Sequence, residues 1–503
     1  MVSTGEIASR LGTQSALLML GYVFTLVIGF PLQIFVVREL GATQLGIFSL
    51  MDGATGLVAN LTALGIAPTL VRFIPAYLAR GKFTHVRQLI RWGIIRLLII
   101  STLALLGSLA VLPLLAVRKA GFSTHLVSAV VMSLLIPATA ISFFLQQGLR
   151  SFQEIRYMVF GSSFLQLSVK AVLAVLLLST GLQLLGFVTA VVLSTLAAAG
   201  WMALGMHRKL SELPRDQTPE DTSVQVEWKA YARVMFMASL LGIGSAYLDR
   251  FVLAWTNGAA AVGVLAIVKQ VQLYPALFFQ MLLSVAAPML AGAHARSDSV
   301  GVQHIFHLTT DWAVRFSLPL ILFLWIFAEP VLALFGTAFA VTGVWALRIL
   351  LIGQMLSIAF GPVGQTLYVT GHEKAVVHVI AWQTLLMAVG FLILAPMLGL
   401  LGLCIVISFG TIFINGATFV IARRELDLRW FNRRYISWAP PITICVTLAL
   451  AIRAWFPAAM GVLGLMATLG LLYLLSLFIS LIFFLHPDDR ELLRALRTRL
   501  SIS

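Results

Sequence analysis

Residues 15–37, SALLMLGYVFTLVIGFPLQIFVV, followed by RELGATQLGIFSL at 38–50, decide the fold class. The first run holds no charge and is long enough to cross a hydrocarbon core of about 30 Å as a helix. Arg38 and Glu39 end it, glycines follow at 41 and 46, and a second apolar run starts at once. The same alternation continues to the end of the chain. Over 503 residues, 60% are hydrophobic and 11% charged, against about 25% charged in a soluble domain. Mean hydropathy is +0.99. No soluble core buries that much apolar surface, so lipid is the solvent and the reading is an all-α polytopic membrane protein.

Fourteen spans are expected, at 15–37, 45–66, 93–116, 126–148, 157–179, 184–206, 235–256, 262–283, 313–335, 345–370, 376–396, 400–422, 436–456 and 460–485. Charge tests the count, because cytoplasmic loops collect Lys and Arg. With the N-terminus inside, alternate loops and tails hold 26 of the 34 basic residues, among them Arg72, Arg80, Arg87, Arg208, Arg423 and Arg497. Arg38, Arg118, Lys119, Arg348 and Arg453 fall at the opposite face. Both termini are thus expected in the cytoplasm, and the polar start MVSTGEIASRLGTQ reads as an amphipathic lead-in without a signal-cleavage pattern. The formal charge of +15 is spent on orientation; with no soluble domain to carry a basic surface, no nucleic-acid partner is expected.

The organisation reads as an N-lobe at 1–206, a polar cytoplasmic linker at 207–230, a C-lobe at 231–422, a last helix pair within 423–485, and an amphipathic cytoplasmic tail at 486–503. A weak internal repeat supports two lobes. Gly41-Ala42 and Gly46 recur 217 positions later as Gly258-Ala259 and Gly263; Gln147, Gly186 and Ser194 recur at nearby shifts as Gln365, Gly402 and Ser408. Units with an even number of spans repeat in parallel, which sets a substrate path between them. Prolines 31, 68, 137, 275, 288 and 362 lie within or beside spans, where they kink helices in mobile and static bundles alike.

A charge inside a bilayer costs about 2.5–3.5 kcal/mol on insertion scales, so it faces a cavity or a partner. The candidates are Asp52, Lys170, Asp249, Arg250 and Lys269. The repeat superposes Asp52 on Lys269 and Gln33 on Arg250, which places these four around one path. A structural Asp249–Lys269 pair is the competing expectation. Arg72, at the inner end of span 2, is either an anion receiver at the cytoplasmic mouth or a plain anchor. His304 and His307 before span 9 find no further metal ligands and fit an interfacial helix; Cys404 and Cys445 sit in apolar runs as core residues. No cofactor, metal site or catalytic motif is expected, and the chain does not read as an enzyme.

Several of these stretches resemble a known family. Arg38-Glu-Leu-Gly-Ala-Thr-Gln-Leu-Gly-Ile-Phe, Leu64-Gly65 leading to Leu70-Val71-Arg72-Phe73, and Tyr247-Leu248-Asp249-Arg250-Phe251 with Ala261-Val262-Gly263 are similar to turns of the oligosaccharide-lipid and polysaccharide flippases. Phe335-Gly336-Thr337 and Leu398-Gly399 add two more, so the resemblance spans most of the first 430 residues. These flippases belong to the multidrug/oligosaccharidyl-lipid/polysaccharide (MOP) exporter superfamily. The resemblance implies two six-helix lobes plus a C-terminal pair, and transfer of an undecaprenyl-pyrophosphate-linked sugar across the bacterial inner membrane by alternating access. It further implies coupling to H+, Na+ or the membrane potential, a monomer, membrane lipids around it, and polysaccharide-assembly proteins as partners. Lipid II flippases of the same superfamily carry an Arg/Asp element in span 1; here no charge precedes Arg38 in that span, which argues against lipid II as cargo. The competing function is a multidrug or cation antiporter of the same fold, with Asp52 and Asp249 as coupling acids.

Overall fold

A backbone surrounded by lipid must satisfy its N–H and C=O groups within itself, and this chain does so with helices. The computed structural model describes residues 4–63, 65–118, 123–214, 222–430, 432, 435, 438–455 and 462–483, with no strand among them. The tail expected at 486–503 lies outside the described residues. Two compact units divide the chain, Met1–Gly263 and Val264–Ser503.

The first unit contains α1 (Thr4–Ala63), α2 (Ile66–Ala79), α3 (Phe83–Arg118), α4 (Leu126–Ser133), α5 (Leu135–Ser151), α6 (Ile155–Val159), α7 (Gln166–Ser179), α8 (Gln183–Glu212) and the first part of α9 (Thr222–Ala295). The second holds the rest of α9, then α10 (Ser299–Ile326), α11 (Ala328–Ala333), α12 (Thr337–Ala359), α13 (Val363–Val369) and α14 (Glu373–Leu426). It ends with α15 (Ala439–Trp455) and α16 (Val462–Phe483). Nine helices among the described residues are long and apolar enough to cross a membrane. Three of them, α1, α9 and α14, are each broken by one non-helical glycine, Gly41, Gly258 and Gly399, and so hold two spans apiece. With the shorter apolar α15 and α16, the fourteen expected spans are accommodated.

The repeat seen in the sequence is written into the backbone. Gly41 (φ 69°, ψ 175°) and Gly258 (φ 80°, ψ 178°) adopt the same conformation, which a side chain strongly disfavours. Left-handed residues also recur at Gly81 and Ser297, Gln153 and Gly371, and Gly181 and Gly399. A Cβ on Gly186 would meet the Leu177 carbonyl and Leu182 Cβ; one on Gly402 would meet the Leu394 carbonyl and Leu398 Cβ. Both glycines thus press against equivalent atoms of the preceding helix end.

Span 9 departs from expectation. Asp298 caps α10, its Oδ1 accepting the Gly301 N–H at 2.7 Å, and one helix runs from there through the predicted interfacial stretch. His304 is exposed, but His307 is buried on the span helix itself. Gln303, His307, Asp311 and Arg315 follow at intervals of four and share one face. That face is covered by the segment leading into α15: Gln303 bonds both the N–H and C=O of Arg429 (2.8 and 3.0 Å), His307 Nδ1 meets Tyr435 Oη (2.9 Å), and Trp438 Nε1 donates to Asp311 (2.7 Å). Hydropathy undercounts such a helix because its polar side chains are paired away from lipid. Cys404 and Cys445 are buried, as expected.

Candidate functional site

The second half of α1 presents Gly46, Ser49, Gly53, Gly56 and Asn60 at alternating steps of three and four, a stripe of small and polar residues on one face. Small residues let helix backbones approach closely in lipid, and the first half of α9 lies against this stripe. A Cβ on Gly46 would run into the Ala259 carbonyl oxygen, and one on Gly263 into that of Ala42. The contact is reciprocal: each partner is the other's counterpart 217 residues away. Further along, a Cβ on Gly53 would lie 3.3 Å from Arg250 Cδ, and one on Gly56 3.1 Å from Tyr247 Oη.

Into this close packing the two helices place their polar groups. Arg250 Nη1 donates to Asp52 Oδ2 at 3.1 Å and to the Ser49 carbonyl at 3.2 Å. Asn60 Nδ2 donates to Tyr247 Oη at 2.8 Å and to the Gly56 carbonyl at 2.9 Å. Lys170 stands half-buried on α7, just beyond a π-turn at Phe160–Leu165. Such a turn inserts a residue and re-aims the helix that follows it. Among the described residues Lys170 forms no hydrogen bond or ion pair.

Past Asn60 the path opens into a cavity of about 480 Å³ lined by Asn60, Pro68, Arg72, Phe143, Gln147 and Tyr231. Gly65, left-handed at φ 79°, breaks the chain between α1 and α2 and forms part of the wall. The Arg72 guanidinium lies over the Tyr231 ring (4.4 Å to its centroid) and beside Phe73 (5.3 Å). It has no carboxylate within ion-pair distance among the described residues. Stacking leaves its N–H groups available to an anion, and the two amides can read hydroxyls.

Of the sequence candidates, Asp52 and Arg250 come together, and Arg72 lines the cavity beside Asn60 and Tyr231. Asp249 is 1% exposed, and its Oδ1 accepts the N–H of Arg250 at 2.8 Å. Gln33 is half-buried on the first half of α1, and Lys269 half-buried in the second unit. Asn60, Tyr231 and Phe143 were not anticipated. Asn60 was findable, since it continues the stripe of Gly53 and Gly56 by one turn; Tyr231 and Phe143 reach the cavity only through tertiary packing. Among the described residues no group of three His, Cys, Asp or Glu side chains could hold a metal.

Residues 11–294, more than half of the chain, match the sequence profile of a family described as polysaccharide biosynthesis protein. No curated protein sequence matches significantly. Among solved structures, the lipid II flippase MurJ in an inward closed conformation is similar with a TM-score of 0.69 at 11% identity, covering 94% of this chain and 100% of that one. An inward-facing multidrug resistance MATE transporter of the MOP superfamily gives 0.65 at 16%, covering 80% of this chain and 94% of that one. A MOP transporter from Pyrococcus furiosus, described as having a binding pocket of reverse polarity, gives 0.61 at 17%, with 83% and 95% covered. The fold is that of MOP transporters, and the chain is a multi-pass membrane protein.

Proposed function

The chain belongs to the polysaccharide biosynthesis protein family, and from that premise we propose that it is a flippase for a lipid-linked oligosaccharide, carried on undecaprenyl pyrophosphate in a bacterial inner membrane. The cavity beside Arg72 is the observation that carries this reading. It joins a stacked guanidinium without a carboxylate to two amides and two aromatic rings, a combination that suits a phosphate joined to sugars. Beyond it lie Arg250 and Lys170, so cations outnumber acids along the path. Asp52, the acid among them, is engaged by Arg250, which disfavours a drug-cation antiporter, whose substrates call for unpaired acids.

In this reading the phosphate enters at Arg72 with both termini on the cytoplasmic side, and the sugars follow along Asn60 and Tyr247 as the α1–α9 contact opens. Breaking the Asp52–Arg250 pair would free a second cation for the phosphate. H+, Na+ or the membrane potential would drive the cycle, and no covalent chemistry is required. The test is surface glycan display by cells lacking the native gene and expressing variants at matched levels. Arg72→Gln should reduce display strongly, and joint neutralisation of Lys170, Arg250 and Lys269 should abolish it. Full display by both variants overturns the proposal, as does drug resistance with unchanged surface glycan.

A further inference from the structure

The exposed, apolar side of α12 carries a cation. Val341 is 84% exposed, Trp345 61%, and Ile352 and Leu356 continue the same exposed face. Arg348 falls on this stripe, three residues after Trp345 and four before Ile352. A guanidinium facing hydrocarbon is costly and needs a polar partner within reach.

The surroundings of Arg348 prepare such a place. Its guanidinium carbon lies 4.8 Å from the centroid of the Trp325 ring and 5.0 Å from that of Trp345, held between two indoles. Its Nε donates to the Trp325 carbonyl at 3.3 Å, at the carboxyl end of α10. This uses one of five N–H groups. Among the described residues no carboxylate pairs with it; Glu329, one turn past Trp325, is taken by Arg453 at 2.9 Å. Tryptophans mark the membrane–water interface, and this end of α10 is the one remote from the basic loop at Arg296.

We propose that Trp325, Arg348 and Trp345 form a binding site for the headgroup phosphate of an anionic phospholipid in the leaflet opposite the basic loops. The two rings fix the guanidinium plane, its free N–H groups meet the phosphate oxygens in pairs, and the apolar stripe from Trp345 to Leu356 receives an acyl chain. Net negative charge on the lipid decides selectivity, because the site offers a cation and no acid. The site is independent of the sugar path in the first unit.

A photo-crosslinking side chain at Val341, in the full-length protein reconstituted in phosphatidylglycerol and phosphatidylcholine, reads the site directly. The adduct should be enriched in phosphatidylglycerol over its share of the bilayer by about tenfold, the effect of one charge-assisted contact. Arg348→Gln should remove the enrichment, Arg348→Lys should keep part of it, and Trp345→Ala should reduce it. If Arg348 merely caps α10, Arg348→Gln will lower thermal stability and leave the adduct ratio unchanged, which overturns the proposal. Adducts in proportion to bilayer composition in the unsubstituted protein overturn it as well. Should Arg348→Gln fail to fold, Trp345→Ala decides: an unchanged ratio there rejects the site.

Discussion

In the first unit, Arg250 and Asp52 meet with 26% and 46% of their side chains exposed. In the second, Arg315 and Asp311 meet at 3.2 Å with 5% and 0% exposed, under the indole of Trp438. Both pairs sit on helices of one duplicated backbone, so fold does not dictate what a membrane charge is for. What separates them is access. The first pair lies on the two helices that also carry Asn60 and Tyr231 of an open cavity; the second is covered by Trp438, and Ser476 and Ser480 of α16 line the same small void as Arg315. Exposed charges in such a protein can meet substrate, whereas sealed ones hold helices in register.

The most severe way to break this contrast is to orphan a sealed charge. Asp311→Ala leaves Arg315 buried without its carboxylate, which should cost about 3–5 kcal/mol and appear as a large fall in thermal midpoint and membrane yield. Replacing both partners, Asp311→Leu with Arg315→Met, should recover most of the loss, since neither charge then remains to be satisfied. If the double variant is as unstable as the single, the pair acts through more than mutual neutralisation.

Next in size is steric rather than electrostatic. Gly46→Val pushes a side chain into the Ala259 carbonyl, and backbone cannot swing aside as a flexible side chain can. Overpacking of this kind should cost about 1–3 kcal/mol, measured as a lower melting temperature in detergent. Gly263→Val, its counterpart in the reciprocal contact, should cost a similar amount; a large inequality between the two would show that the contact is two-fold in sequence but not in energy.

Asp52→Asn should be milder for stability and severe for transport. It keeps the shape and weakens one interhelical contact worth about 1–2 kcal/mol, yet it alters the charge balance along the path. Glycan display should fall well beyond what the protein level explains. Equal losses of level and display would make Asp52 a structural residue like Asp311.

Much of this contrast was legible beforehand and part was not. The spans, the turn glycines and the intramembrane charges are local signals, read from runs, spacing and sign. The repeat marked residues 41–46 and 258–263 as equivalent turns, and the backbone angles of Gly41 and Gly258 bear that equivalence out. Which charge turns where was not local. Asp249 and Arg250 are neighbours, but one carboxylate folds back on the backbone while the guanidinium reaches across to α1. Gln303, His307, Asp311 and Arg315 went unread as a ladder because the partners that define it, Arg429, Tyr435 and Trp438, lie more than a hundred residues on. Without them His307 looked like a surface residue of an interfacial helix.

The smallest effect tests how far the sealing extends. Gln303 begins the ladder at its more exposed end, where its amide bonds the Arg429 backbone on both sides and also touches His307 Nε2. Gln303→Ala removes neutral hydrogen bonds at a place that water can reach, so the loss should be near 1 kcal/mol or less, a shift of a few degrees in a thermal melt. Trp438→Phe, deeper in the same ladder, removes a single bond to a buried carboxylate and should cost more, about 1.5–3 kcal/mol. If the two variants cost the same, depth does not grade the ladder, and the segment leading into α15 is held as one cooperative strap. A steeper loss at Trp438 instead places the anchor of the last helix pair at Asp311.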